Sequence, residues 1–260
     1  MKIANIYPVA NQELYRDENY VMILAHLVKK GYYKPENFNE NQYIIMDNGL
    51  FEGEQVSTDV RDLIALAENS GIPIKEIIVP DVVNRAEETR KLFLENLKTI
   101  REYQHKYTFM FVAQALTYSE LRGNILFINQ FAEEGLNLSV GISKLSPLER
   151  AGIHATHCYE HCKYPIHILG IKDTFQELER LTSIETIRGC DTSQLAYIVK
   201  NEGDDEIDPW VYSRSAAERR NKKTSKEAAI DLERDVLDSD TLKDLRDIFW
   251  EDAELYGVLR

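Results

Sequence analysis

The sequence predicts a (β/α)8 barrel, in which eight parallel strands alternate with helices around a closed sheet. Two observations predict this fold. Short apolar runs alternate with amphipathic segments over residues 1–215, which is the pattern of consecutive strand–helix–strand units. The apolar runs are also nearly uninterrupted, as expected for parallel strands covered on both faces. An open doubly wound sheet is the alternative, but no Gly-x-Gly-x-x-Gly motif follows the first strand.

The predicted strands are spaced so that one helix fits between each pair. They cover residues 2–7, 43–47, 76–81, 108–114, 138–143, 166–171, 186–191 and, as a short eighth strand, 210–213. The predicted helices cover residues 13–30, 58–70, 85–106, 118–134, 147–162 and 175–182. The first helix is predicted from apolar residues at helical spacing and a glycine stop. These residues are Leu14, Val21, Leu24, Leu27, Val28 and Gly31. In such a barrel an active site is expected at the carboxyl ends of the strands.

The composition changes after the predicted barrel domain of residues 1–215. Residues 214–226 carry six basic side chains against one acid, and residues 227–260 are acidic with apolar positions at helical spacing. We expect residues 216–260 to pack on the barrel or to contribute to a homodimer. On the rim of the barrel, the basic side chains would suit phosphate contacts, although a solvated helix face is an equal alternative. The candidate nucleic-acid-binding residues are Arg214, Arg219, Arg220, Lys222 and Lys223.

Charge and cysteine content limit the class of protein. The 260 residues carry a net charge of −13, which disfavours a general nucleic-acid binder but leaves room for a local basic patch. No apolar run approaches the roughly 20 residues that span a bilayer. Three cysteines, an odd number, favour a reducing compartment. We therefore expect a cytoplasmic protein of a bacterial or phage-infected cell, without a membrane partner.

Polar residues or glycines close six of the predicted strands. They are Asp47, Asp81, Gln114, Gly141, Gly170 and Asp191. Three carboxylates at one mouth of the barrel would repel one another, which should raise the pKa of at least one of them. Carboxyl groups with different pKa values can then divide the roles of acid and nucleophile. A pair of carboxylates suits double displacement at a glycosidic bond. Gln114 and a third acid offer donors and acceptors that suit the edge of a base. Gly141 allows the backbone to approach a ligand closely, and Phe51 can stack on a flat ring. Each acid alone could instead be a helix cap or a turn residue.

Six segments in chain order carry a more specific signal. They are Ile45-Met-Asp47-Asn-Gly-Leu-Phe51, Ile77-Ile-Val-Pro-Asp81, Phe109-Met-Phe-Val-Ala-Gln114, Val140-Gly141-Ile142, Ile168-Leu-Gly-Ile171 and Arg188-Gly-Cys-Asp191. They resemble, in order, the Asp-Ser-Gly-Gly turn, the strand ending in a base-reading aspartate, the Val-Gln-Gly-Gly segment, the Gly-Gly-Leu-Ala turn, the Leu-Met-Gly-Val strand and the Phe-Asp-Cys nucleophile segment of one family. That family is the tRNA-guanine transglycosylases with their phage and bacterial DNA-modifying relatives. The resemblance covers roughly residues 43–195.

The resemblance implies a (β/α)8 enzyme that exchanges guanine in DNA or tRNA for a 7-deazaguanine base. It implies that Asp191 is the nucleophile at C1′ and that Asp47 is the general acid and base. It further implies that Asp81, Gln114 and the backbone of Gly141 read the base, with Phe51 stacked on it and Asn48 beside it. The target base must leave its stack to reach such a site. No redox cofactor and no catalytic metal is required.

The sequence also departs from the family pattern. Gln114 is followed by Ala-Leu in place of Gly-Gly, and Leu50 replaces the second glycine of the first turn. The family's zinc signature is absent, because no Cys or His follows Cys190. The missing zinc element puts tRNA in doubt as the substrate and favours the DNA-acting members.

Two alternative functions and one further cluster remain. The alternatives are a glycosidase or transferase acting on free nucleosides or nucleotides, and a non-catalytic barrel that binds a purine or a nucleic acid. The cluster within residues 154–162 holds three histidines and two cysteines, but on a helix they divide between two faces. A structural zinc would need a further ligand from elsewhere in the chain. We predict no metal there and expect a helix that packs its cysteines inward, with histidines at its edge.

Overall fold

Eight parallel strands form a nearly closed barrel in the computed structural model, which describes residues 1–50, 56–143, 149–171, 174–193, 196 and 236–255. The strands are β1 (Lys2–Asn5), β2 (Tyr20–Leu24), β3 (Tyr43–Asp47), β4 (Ile74–Ile78), β5 (Thr108–Val112), β6 (Leu138–Ile142), β7 (Ile166–Ile168) and β8 (Ile187–Thr192). Their hydrogen-bonded order is β1-β8-β7-β6-β5-β4-β3-β2. Because β1 and β2 also lie side by side, the sheet nearly closes on itself. The predicted (β/α)8 fold is confirmed.

Helices follow the strands as the fold requires. They are α1 (Ala25–Lys29), α2 (Val60–Asn69), α3 (Ala86–Tyr103), α4 (Tyr118–Asn129), α5 (Ile153–Glu160), α6 (Thr174–Leu181) and, after β8, α7 (Ser239–Leu255). Short 3-10 helices cover Val9–Asp17, Pro35–Asn37 and Ala132–Glu134. Side-chain caps fix two starts: Asp59 accepts from the Arg61 amide before α2, and Thr117 and Glu120 form a capping box before α4. No helix in the described ranges is long and apolar enough to cross a membrane.

The first predicted helix is wrong. Residues 13–30 hold the end of a 3-10 helix, then the fully buried strand β2, then the single turn of α1. Every residue of β2 is buried, so the strand shows no alternation that would have separated it from a helix. Gly31, with φ +71°, does follow the end of α1 as predicted. The predicted strand at 210–213 lies outside the described residues, and the eight strands found are complete at Thr192.

The core has two parts, one on each face of the sheet. The larger part fills the space between the strands and the surrounding helices. The smaller part fills the interior of the barrel and consists of Ala4, Tyr20, Met22, Ile45, Ile78, Met110 and Val112. The interior therefore has an apolar layer directly below the carboxyl ends of the strands. This layer forms the floor of any binding site at that end of the barrel.

Helix α7 joins the end of the described chain to its beginning. Asn11 Nδ2 donates to the carbonyl of Leu237 (2.7 Å) and to Ser239 Oγ (2.9 Å), and Asn11 Oδ1 accepts from the Leu237 amide (3.2 Å). Leu242 and Arg246 are buried on the same side of α7. The described part of the C-terminal region thus packs on the 3-10 helix between β1 and β2.

Candidate active site at the carboxyl ends of the strands

One cavity opens at the carboxyl ends of the barrel strands. Its accessible volume is about 80 Å³, and its mouth is open to solvent. Its apolar wall consists of Ile6, Met22, Leu24, Leu50, Ile78, Val83, Val112 and Leu169. Its polar wall consists of Asp47, Asn48, Asp81, Gln114, Ser143, Gly170 and Asp191. Five residues that the sequence predicts for the site are therefore brought together here: both catalytic candidates, Asp81, Gln114 and Asn48.

The turn after β3 presents Asp47 and Asn48 to the cavity. Asp47 Oδ1 accepts from the Gly49 amide (2.8 Å), and Asn48 Oδ1 accepts from the Leu50 amide (2.9 Å). These two side-chain-to-backbone bonds are typical of Asx turns. Gly49 has φ +81°, in the left-handed region that glycine occupies without a steric penalty. The Asp-Asn-Gly sequence therefore builds the turn as well as supplying its polar groups.

Asp81 is held between two side-chain amides. Asn48 Nδ2 donates to Asp81 Oδ1 (2.9 Å), and Gln114 Nε2 donates to Asp81 Oδ2 (2.6 Å). Each amide also makes a further hydrogen bond to the backbone. Asn48 Nδ2 also donates to the carbonyl of Val79 (3.2 Å), and Gln114 Oε1 accepts from the amide of Asn84 (3.1 Å). Asp81 is thereby locked as an acceptor pair with one further lone pair on each oxygen.

Burial, not repulsion between carboxylates, dominates the electrostatics of Asp81. Burial raises the pKa of Asp81, and the hydrogen bonds from Asn48 and Gln114 act in the opposite direction. The sequence predicted a raised pKa among these acids, but it attributed the effect to neighbouring negative charges. The second proton of Gln114 Nε2 remains for a ligand acceptor beside the carboxylate. Asp81 and Gln114 together thus offer two acceptors and one donor along one edge.

Asp191 has one oxygen bonded and the other available. Asp191 Oδ1 accepts from the Gly170 amide (3.0 Å) and lies 3.0 Å from His167 Nε2. No donor among the described residues is bonded to Oδ2. Asp191 is buried, with a side chain 8% exposed, yet it lines the cavity. A carboxylate that lines a cavity and is held through one of its oxygens has an arrangement suited to an oriented nucleophile.

Behind Asp191, polar side chains continue into the barrel interior. The Tyr20 hydroxyl lies 2.8 Å from His167 Nδ1, and the Tyr20 ring stacks on that of Tyr43 with centroids 5.6 Å apart. Arg188 donates to the Tyr43 hydroxyl (3.0 Å) and pairs with Glu76. Burial raises the pKa of Tyr20, so its hydroxyl keeps its proton. The site therefore rests on a row of buried and half-buried groups joined by hydrogen bonds and ring stacking.

Arg150 supports the strand end next to Asp191. Its guanidinium is buried, donates to the carbonyls of Leu169 and Gly170 (2.9 Å to the latter), and pairs with Glu177 (2.9 Å). Gly170, whose amide bonds Asp191, has φ +61°. Arg150 thus holds the backbone in the conformation that points the Gly170 amide at the carboxylate.

The remaining predicted residues lie elsewhere. Gly141 is not among the residues that line the cavity. A Cβ on Gly141 would lie 2.8 Å from Met110 Sδ, so the glycine leaves space for packing in the barrel interior. Phe51 and the basic residues Arg214, Arg219, Arg220, Lys222 and Lys223 lie outside the described residues.

Sequence reasoning missed three polar residues of the site. His167 is fully buried inside the barrel, Tyr20 lies in the segment predicted as a helix, and Ser143 directly follows β6 at the cavity wall. The sequence did carry a signal for His167, because a histidine within an apolar strand must find a partner in the interior. No comparable signal existed for Tyr20, whose partner His167 comes 147 residues later.

The cysteines of the cluster at residues 154–162 pack inward, as predicted. Cys158 and Cys162 are buried and unpaired, and His157 and His161 are exposed. Potential ligand atoms of His157, Glu160 and His161 lie within 4.8 Å of one another on the surface. Cys190, beside Asp191, is also buried, and this burial raises the pKa of its thiol. A thiol held protonated in this way is a poor nucleophile.

Comparisons with known proteins find distant similarities among the solved structures. No family model matches the sequence, and no curated protein matches it significantly. The N-acetylneuraminate lyase of Proteus mirabilis is similar with a TM-score of 0.37 and 12% identity, covering 98% of this chain and 83% of its own. The carboxyl transferase domain of Rhizobium etli pyruvate carboxylase is similar with a TM-score of 0.45 and 11% identity. The match covers 93% of this chain and 50% of that one. At this similarity neither protein indicates the activity of this chain.

Proposed function

We propose that this protein is an enzyme that exchanges guanine in a nucleic acid for a 7-deazaguanine base through a covalent Asp191 intermediate. One observation carries the proposal. Asp47, Asp81, Gln114 and Asp191 come from four different strand ends, and all four line one cavity. Their order along the chain is that of the transglycosylase motifs they resemble, so the sequence pattern and the geometry point to the same chemistry.

The hydrogen-bonding groups fit the edge of guanine. Guanine and 7-deazaguanine present two neighbouring N–H donors, at N1 and N2, and a carbonyl acceptor at O6. The two oxygens of Asp81 accept from the donors, and the second Nε2 proton of Gln114 reaches the acceptor. Adenine has an acceptor at N1 in place of a donor, so its N1 lone pair would face a carboxylate oxygen of Asp81. A site of fixed, buried polar groups rejects such a mismatch because the groups remain unpaired.

The exchange is a double displacement in which the charges balance. Asp191 Oδ2 forms a bond to C1′ of the nucleotide as the C1′–N9 bond breaks, and its electron pair leaves with guanine. Asp47 gives a proton to the departing base. The incoming 7-deazaguanine then loses its N9 proton to Asp47 and attacks C1′, and the electron pair of the C1′–O bond returns to Asp191. Two displacements retain the configuration at C1′.

The substrate is DNA or tRNA in this proposal, with DNA favoured by the missing zinc signature. The base is extruded from its stack into the cavity. The basic run at 214–226 follows β8, the strand that carries Asp191, so it is a candidate contact for the phosphates.

Covalent trapping tests the proposal. Labelled duplex DNA, single-stranded DNA, tRNA or guanosine is mixed with the protein and a 7-deazaguanine, and the products are separated on a denaturing gel. We expect an adduct with one polymer, lost in Asp191→Asn and kept in Asp62→Asn, which removes an exposed carboxylate on α2. Asp47→Asn should lower the rate of exchange by roughly 10²- to 10⁴-fold, the contribution of general acid–base catalysis.

The outcomes separate the candidate functions. Exchange with guanosine alone would favour the enzyme of free nucleosides. Purine binding by calorimetry without any exchange would favour the non-catalytic barrel. Exchange that survives Asp191→Asn would contradict the assignment of the nucleophile.

A further inference from the structure

We infer that His167, held by Tyr20, is a positioning residue that leaves Asp191 Oδ2 free to attack and stabilises the charge that returns to Asp191 when the intermediate breaks down. This inference rests on the proposed function, although the geometry behind it does not. His167 is a positioning residue and not a catalytic one, because it contacts the Asp191 carboxylate and not the substrate.

The geometry joins three buried groups in a row. The Tyr20 hydroxyl lies 2.8 Å from His167 Nδ1, and His167 Nε2 lies 3.0 Å from Asp191 Oδ1. Tyr20 and His167 are 3% and 0% exposed, so water does not compete for these bonds. The neighbouring register aligns His167 with Gly141 on β6 and Gly189 on β8, two positions without a side chain. The imidazole therefore has space in the barrel interior.

Hydrogen bonding selects one tautomer of His167. An ionised Asp191 only accepts hydrogen bonds, so it favours the form of the ring with the proton on Nε2. Nδ1 of the neutral ring is then an acceptor, and the Tyr20 hydroxyl supplies the matching donor. Burial raises the pKa of Tyr20, which keeps that donor protonated. The outer partner of a histidine commonly fixes its tautomer in this way.

The other ionisable groups nearby are already paired. Arg188 pairs with Glu76 and donates to Tyr43, whose ring stacks on Tyr20. Lys2 Nζ lies 6.0 Å from the centre of the Tyr20 ring, and Glu76 also accepts from Ser139. None of these groups is bonded to His167, so Tyr20 and Asp191 are its hydrogen-bond partners within the described residues.

The two halves of the reaction should depend differently on His167. Hydrogen bonds to a carboxylate are stronger than those to an ester carbonyl. The bonds from His167 and Gly170 to Oδ1 therefore favour the free carboxylate over the glycosyl ester. When the new base attacks C1′, the electron pair of the breaking C1′–Oδ2 bond spreads over both oxygens, and these donors stabilise it. Removing the His167 donor should slow breakdown of the intermediate more than its formation.

The tautomer is tested without any need for activity. Long-range ¹H–¹⁵N spectra report which nitrogen of each histidine is protonated, and the His167→Gln spectrum assigns the signals of His167 among the six histidines. We expect the Nε2–H form in the wild type and a mixture of forms in Tyr20→Phe, which removes only the hydroxyl. Tyr159→Phe is the matched control, because it removes a buried hydroxyl that has no hydrogen-bond partner in the described part of the chain. A wild-type Nδ1–H form, or an unchanged Tyr20→Phe spectrum, would overturn the inference.

The role in the reaction is tested by following the adduct in time. We expect His167→Leu to release the adduct roughly 10- to 100-fold more slowly than the wild type, the range for loss of a hydrogen bond to a charged group. Its formation should slow by less, so the adduct accumulates. His167→Gln places an amide N–H near the position of Nε2 and should recover most of the release rate.

The outcomes distinguish this inference from the proposed function. Equal slowing of formation and release in His167→Leu, or no recovery in His167→Gln, would overturn the positioning role while exchange itself stands. If the wild type forms no adduct, the proposed function fails, and the spectra alone decide whether Tyr20 and His167 orient Asp191. Should His167→Leu fail to fold, Tyr20→Phe and His167→Gln still carry the comparison.

Discussion

Asp81 illustrates how this barrel keeps an acceptor pair inside a cavity. A buried carboxylate is costly unless donors compensate for the lost water. Asn48 and Gln114 each provide one donor, and neither can turn away, because the Leu50 and Asn84 amides hold their oxygens. The compensation is partial, since burial still raises the pKa of Asp81. The burial of Asp81 thus lowers stability but keeps its two oxygens rigidly placed as acceptors.

That raised pKa predicts the sign of a pH effect. Because the folded state binds the Asp81 proton more tightly than the unfolded chain, ionisation of Asp81 lowers the free energy of unfolding. The wild type should therefore lose stability relative to Asp81→Asn as the pH rises through the window between the unfolded and the raised folded pKa. Above that window the difference should become constant. Urea unfolding of both proteins between pH 4 and pH 8 measures it.

Asp62→Asn serves as the reference for this measurement, because Asp62 is exposed. Its stability should follow that of the wild type across the same pH range. A difference between the wild type and Asp81→Asn that grows with pH in favour of the wild type would contradict the assignment of burial as the dominant cause.

Among the elements, β2 separates what the sequence can specify from what it cannot. Seven strands were predicted near their observed positions, with β4 found two residues earlier than expected. β2 was missed because five buried residues run directly into α1, so a strand and a helical turn together imitate one helical face. Only pairing with β3, from Tyr20 beside Tyr43 to Leu24 beside Asp47, identifies it as a strand. That pairing is tertiary information.

Gly189 tests how tightly β8 packs on this missed strand. A Cβ at Gly189 would lie 2.8 Å from Tyr20 Cε1 and 2.9 Å from the Lys2 carbonyl oxygen, and the backbone oxygen cannot move aside. Gly189→Ala should therefore lower the free energy of unfolding by about 1–3 kcal/mol, the usual cost of overpacking. Urea denaturation measures the change.

Gly123→Ala is the matched control within α4. The nearest atom to its added Cβ is Arg90 Nη1 at 3.6 Å, an ordinary contact. Alanine in place of glycine inside a helix should raise stability by about 1 kcal/mol. Equal effects of the two substitutions would show that Gly189 is not under steric pressure.

The site was more predictable at its strand ends than behind them. Asp47, Asp81, Gln114 and Asp191 are visible in the sequence because each ends an apolar run, and parallel strands bring those ends together. Gly141 was wrongly predicted to line the cavity. A glycine in a strand can equally make room for its neighbours, which here are Met110 and Leu169. Such packing depends on residues distant in sequence.

For the molecule as a whole, the positive charge that no nearby acid balances is concentrated in one segment of the sequence. At the amino-terminal ends of the strands, Lys75 pairs with Glu40 and Lys106 with Glu68. Those basic groups lie on the face opposite Asp191. Along the sequence, the unbalanced basic charge is in residues 214–226, in a chain of net charge −13. That segment is therefore the candidate source of cations for a phosphate backbone bound near the cavity.

Salt dependence tests this expectation. Each phosphate contact contributes a slope of roughly −0.9 to the logarithm of the binding constant against the logarithm of salt concentration for duplex DNA, or −0.7 for a single strand. Arg219→Gln with Arg220→Gln should therefore reduce the slope by roughly 1.4 to 1.8 if both side chains contact phosphate. Lys75→Gln with Lys106→Gln removes the same charge from the opposite face and should leave the slope nearly unchanged. Fluorescence anisotropy between 50 and 300 mM salt measures both. Equal reductions in the two variants would mean that long-range charge, not local contact, governs binding, and the segment would lose its assigned role.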